Sequence, residues 1–102
     1  PLERGIRDGF ELSCAAVFFV TPNFQDENYL ATEVEYAIAE KRKKRNRFGI
    51  IALVLDGGRV PKLFEHLVYK QPKSQLEALH EIIRALPLIP GLPSWKDGPD
   101  SP

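Results

Sequence analysis

Three observations predict an α/β fold built on a parallel sheet. Two short, unbroken apolar runs, Ala15–Val20 and Ile50–Leu55, are each closed by turn residues, Thr21-Pro22-Asn23 and Asp56-Gly57-Gly58. Segments with helical spacing of apolar residues alternate with those runs. Strands this apolar need cover on both faces, which is the condition of a parallel sheet between helices. The order helix, strand, helix, strand, short strand, helix then implies right-handed crossovers.

Each element has its own grounds. Leu2 to Leu12 places Leu2, Ile6, Phe10 and, less regularly, Leu12 at near-helical spacing. Ala15–Val20 is the first buried strand. From about Gln25 to Lys44 the pattern is helical, with Leu30, Val34, Ala37 and Ile38 forming a buried stripe. Asp26 and Glu27 stand in the first turn of that helix, and Lys41–Arg45, then Arg47, at its end. Both placements complement the helix macrodipole, each charge contributing about 0.3 kcal/mol or more. The basic run is therefore a solvated helix end, or one that also meets an acidic partner or a phosphate.

Ile50–Leu55 is the second strand. Val60 to Leu67 reads as a loop with a helical turn, and Leu67–Tyr69 as a third, short strand before Gln71-Pro72. Ser74 to Leu86 is helical, with Leu76, Leu79, Ile82, Ile83 and Leu86 on one face. Ser74 is its N-cap and Glu77, three residues on, completes a capping box. Pro87 ends it. Five of the nine prolines fall in the last sixteen positions, so no helix or central strand runs through that segment. Residues 1–87 are thus expected to form the domain and 88–102 a C-terminal tail or linker, with Trp95 either packed back on the domain or left for a partner. Three strands make a small sheet, and one of its edges should be a wholly hydrophobic strand that invites pairing.

Composition narrows the function classes. The 102 residues are 43% hydrophobic and 27% charged, typical of one globular domain. Fourteen Lys and Arg balance fourteen Asp and Glu, which argues against a dedicated nucleic-acid binder. Cys14 is the single cysteine, so an internal disulfide and a multi-cysteine zinc site are excluded, and a reducing, cytoplasmic setting is expected. Cys14 itself is expected to be a small core residue. No apolar run approaches the roughly 20 residues that span a bilayer. His66 and His80 are not at ligand spacing, and no metal is expected. Neither the P-loop nor the three-glycine dinucleotide fingerprint is present around Gly57-Gly58.

The stretch most informative for chemistry is Thr21–Arg47. Glu33 lies at the edge of the buried stripe, unlike Glu35 on the far side, and Tyr29 stands one turn before it on adjoining surface. The preceding strand feeds this helix through the turn containing Asn23. Ligands of open α/β sheets bind beyond the carboxyl ends of strands. An aromatic ring and a half-shielded carboxylate there could cradle a sugar and stabilise positive charge developing on it, as glycosidic cleavage requires. The alternative is a structural, semi-buried glutamate. Asp56, directly after the second strand, could hydrogen-bond a ribose hydroxyl or simply serve the turn, for which Asp-Gly is a standard choice.

These residues resemble a TIR (Toll/interleukin-1 receptor) domain of the bacterial TIR-like group. The similarity lies in Ser13–Phe24, Tyr29–Ala37, Phe48–Leu55, Leu67–Tyr69 and Leu76–Pro87, and covers about residues 2 to 87. The resemblance implies a flavodoxin-like parallel sheet with helices on both faces, and cleavage of NAD+ at the nicotinamide–ribose bond in bacterial signalling or defence. NAD+ is then substrate, with no cofactor. The family's catalytic glutamate, in a Trp-x-x-x-Glu pattern on the helix after the third strand, matches Glu33, and the tryptophan is replaced by Tyr29. Tyr29, Asn23 and Asp56 are the substrate-binding candidates. The resemblance also implies that the family's N-terminal third is missing, with its central strand and one wall of the nucleotide pocket. A non-catalytic interaction module is the alternative, acting by self-association through TIR–TIR contacts or the exposed strand edge, with neither nucleic acid nor membrane as partner.

Overall fold

In a computed structural model the described residues are 2–23, 27–92 and 94–98. Helix α1 (Leu2–Glu11) leads into β1 (Ala15–Val20), and α2 (Glu27–Lys44) follows, closed by a 3₁₀ turn over Arg45–Arg47. Strand β2 (Gly49–Val54), a 3₁₀ turn at Lys62–His66, β3 (Tyr69–Lys70) and α3 (Gln75–Ala85) complete the chain order. The three strands form one parallel sheet in the order β1-β2-β3, so the α/β architecture is as the sequence predicts. Asp26, expected in the first turn of α2, lies outside the described residues, as do the side chains of Leu2 and Ile6.

The sheet separates two apolar layers because strand side chains alternate. On one face Ala16, Phe18 and Val20 of β1 and Ala52 and Val54 of β2 pack with Leu30, Val34 and Ala37 of α2, and with Phe48 and Phe64. Ile38 is packed against this cluster but not buried in it. Helix α1 joins the same layer through Phe10, whose ring lies 6.0 Å from that of Tyr36. On the other face Ile51 and Leu53 are buried, and α3 packs on β2. Helices therefore cover both faces, as expected, but not evenly.

The unevenness is a correction to the expected apolar face of α3. Ile82, Ile83 and Leu86 are half-buried, whereas Leu76 is 63% and Leu79 50% exposed. Across from them Phe19 is 52% exposed, so β1 and the first turns of α3 share an uncovered apolar surface. The third strand also starts two residues later than the pattern indicates. Leu67 donates its N–H to the Phe64 carbonyl, which keeps it in the 3₁₀ turn and leaves Tyr69 and Lys70 to pair with Ala52 and Leu53.

Local rules fix the ends of the elements. The Ser74 hydroxyl accepts from the Glu77 N–H at 3.1 Å, and the Glu77 carboxylate accepts in return from the Lys73 N–H, one residue earlier than in the usual box. Strand β2 must begin with glycine: a Cβ at Gly49 would run into the Ala85 carbonyl at the end of α3. After β2, Asp56 and Gly57 both have positive φ (54° and 71°) and the Gly58 N–H donates to the Leu55 carbonyl at 2.9 Å. That is the φ pattern of a primed turn, which Asp and Gly enter at least cost. A Cβ at Gly58 would sit 3.1 Å from the Thr21 carbonyl carbon, so the turns that follow β1 and β2 pack directly on each other.

Candidate functional site

Helix α2 runs antiparallel to the strands and carries Glu33 down along β1. Six residues past Glu27, it lies about 9 Å along the helix axis. There it lines a groove of about 300 Å³ with Gly5, Gly9 and Phe10 of α1 and with the Ala15–Phe18 stretch of β1. Glu33 is half-buried, and burial raises its carboxyl above the ordinary glutamate value. A carboxylate in this position is partly stripped of water, which strengthens its field on any charge brought into the groove.

The other candidates occupy different ground. Tyr29 is 42% exposed, one turn before Glu33. Asn23 is exposed in the turn after β1. Asp56 lines a second depression of about 470 Å³, at the carboxyl end of the sheet, with Phe19, Leu55, Pro72 and Leu79 among its neighbours. Asp56 thus belongs to the crevice beyond the strand ends and Asn23 to the exposed turn after β1, while Glu33 belongs to the groove along the flank of β1. Gly5 and Gly9 line the Glu33 groove, and the sequence reading did not single them out. Their i, i+4 spacing on one helix face was the available signal.

Much of the basic run has structural work. Lys44 donates its ammonium to the carbonyls of Phe10 (3.2 Å), Glu11 (2.8 Å) and Ser13 (2.7 Å), capping the C-terminus of α1. The same ammonium pairs with Glu40 at 3.1 Å, and Lys43 pairs with the other oxygen of Glu40 at 3.4 Å. Glu40 is the buried charged residue of α2, unexpected from the apolar stripe. Burial acts to raise its carboxyl, but the ammonium groups of Lys44 and Lys43 outweigh it and hold the group below the usual range. Lys41 donates to the Phe48 carbonyl at 2.7 Å. Arg47 stacks on Trp95 at 4.8 Å, pairs with Asp97 at 3.4 Å and donates to the Gly98 carbonyl. Lys96 in turn caps α3 through the carbonyls of Ile83 and Arg84, both at 3.0 Å. Arg42, Lys43 and Arg45 remain exposed at this pole.

Cys14 is a free, partly buried thiol, and His66 and His80 are exposed. Among the described residues no group of three or more His, Cys, Asp or Glu is placed to hold a metal ion, and no helix is long and apolar enough to cross a membrane. No protein-family model, curated protein or solved structure matches this chain.

Proposed function

We propose that this chain is the C-terminal part of a cytoplasmic TIR-like domain that cleaves NAD+ at the nicotinamide–ribose bond, in bacterial signalling or defence. One observation carries the reading: Glu33 is a half-buried carboxylate, with its pKa raised by burial, on the wall of a groove of about 300 Å³. Breaking the bond from ribose to the cationic nicotinamide nitrogen returns the electron pair to the ring and leaves positive charge on the sugar. A carboxylate held against the ribose in low-dielectric surroundings stabilises that charge more in the transition state than in the ground state. Water then adds to the sugar carbon and loses a proton, giving ADP-ribose. A ring nitrogen of the same substrate attacking instead gives a cyclic product. Tyr29 would flank the ribose, and Asn23 and Asp56 would hold the far part of the dinucleotide at the crevice end. Incubation of the intact parent protein, which contains the whole domain, with NAD+ and quantification of free nicotinamide tests this. Glu33→Ala is expected to abolish release, and turnover equal to wild type rejects the assignment.

A second reading, a non-catalytic module that works by self-association, is favoured by the edge of β1 that no strand among the described residues pairs with, and by the exposed Phe19.

A further inference from the structure

We infer that Lys44 is a positioning residue for the Glu33 groove: its ammonium pins the C-terminal end of α1 to α2 and thereby sets where the α1 wall of the groove stands. The inference rests on the NAD+-cleaving reading and extends it to a residue that acts through α1 and does not touch the substrate.

The α1 wall is made largely of backbone. Gly5 and Gly9 line the groove without side chains, and an ideal Cβ at either meets nothing within 4 Å. The width of the groove at these points is therefore set by where the helix backbone itself stands relative to Glu33 and β1. A helix of ten residues with two glycines has little stability of its own, so its place has to come from tertiary contacts.

Contacts of that kind converge on Lys44. Its three N–H groups meet four acceptors, the carbonyls of Phe10, Glu11 and Ser13 and the buried Glu40 carboxylate, which fixes the cation in one spot. Two of those carbonyls belong to residues that line the groove, Phe10 and Ser13. The Ser13 hydroxyl donates in turn to the Gly9 carbonyl at 2.7 Å, so a chain of bonds runs from Lys44 through Ser13 to the middle of the wall. The Phe10 ring beside Tyr36 adds an apolar contact at the same end. Lys44 itself lies eleven residues beyond Glu33 on α2, roughly 16 Å along the axis, too far to meet a ligand at that carboxylate. Arginine keeps the charge but not the role, because a planar guanidinium cannot aim its donors at three converging carbonyls.

Amide hydrogen exchange and steady-state kinetics on the intact parent protein test the inference. In Lys44→Met the amides of α1 should exchange about tenfold faster or more, while those of β2 keep the wild-type rate and show that the sheet is folded. The KM for NAD+ should rise about tenfold, with kcat changed by less than about threefold, since Glu33 keeps its place on α2. Lys44→Arg retains the pairing with Glu40 and is the safer variant for folding; it should move both readings in the same direction by a smaller factor. Unchanged α1 exchange in both variants overturns the inference, and so does faster α1 exchange with an unchanged KM. A wild type that releases no nicotinamide rejects the NAD+ reading alone. The α1 exchange rate then decides the inference by itself, faster exchange upholding the tether and wild-type exchange overturning it.

Discussion

β1 and β2 are both six-residue strands without a charged side chain, yet their odd-numbered faces meet different surroundings. In β2, Ile51 and Leu53 are sealed under α3, and the strand is paired along both edges. In β1, Ala15 and Val17 are half-buried, Phe19 is largely exposed, and only one edge is paired. The intrinsic preference of the two segments is the same, so the difference comes from neighbours. A strand's composition states what it requires, and tertiary context decides whether the requirement is met within the chain.

The contrast can be broken most strongly at its buried end. Leu53→Ala should cost about 3 kcal/mol, the usual penalty for emptying a fully enclosed leucine site. Phe19→Ala should cost well under about 1 kcal/mol in a dilute, monomeric sample, because its ring has little to leave behind. Urea unfolding midpoints of the two variants measure the difference directly. Gly49→Ala comes next, at about 2 kcal/mol, since the added methyl must displace the end of α3 from β2; thermal unfolding by circular dichroism should record it.

Lys44→Met probes the β1 side. It removes the cap on α1 and strips Glu40 of its nearer cation, for an expected loss of about 1–2 kcal/mol near neutral pH. The Glu40 carboxyl is held low in the folded state, so its contribution is present above the unfolded carboxylate pKa and is lost as pH falls through the folded value. Wild type should therefore lose stability on acidification more steeply than the variant does. Glu33→Gln is the smallest and has the opposite sign. A raised carboxyl makes the folded state bind more protons, so stability declines as pH rises through the folded pKa. The variant should be at least as stable as wild type at neutral pH, with the gap closing below the ordinary glutamate range, while NAD+ cleavage is lost. Urea midpoints at several pH values, set beside nicotinamide release, separate the two effects.

The parts of the fold written in local pattern were legible in the sequence. The apolar runs of β1 and β2, the stripe Leu30–Val34–Ala37 and the Ser74–Glu77 cap all depend on near neighbours in the chain, and those rules are short-ranged. The features that escaped are long-range. Glu40 looks like a surface residue until Lys43 and Lys44 fold back to it and α1 closes over the cluster. Leu76 and Leu79 have correct helical spacing, but spacing cannot say how far across the sheet α3 reaches. For the candidate site, the wheel position of Glu33 gave its partial burial, and the turn chemistry gave the position of Asp56. That Glu33 faces the flank of β1 while Asp56 faces the end of β2 depends on how α2 lies across the sheet, which no residue spacing encodes.

The stacking of Arg47 on Trp95 has a practical consequence. Trp95 is the single tryptophan of the chain, and the indole is held at one pole by a guanidinium and by a bridge between Leu88 and Trp95. Its fluorescence therefore reports the attachment of residues 94–98, whereas the far-ultraviolet dichroism reports the helices. If the two signals separate along a denaturant titration, the C-terminal segment peels away before the sheet melts. The protein carries its own optical sensor for that first, local event.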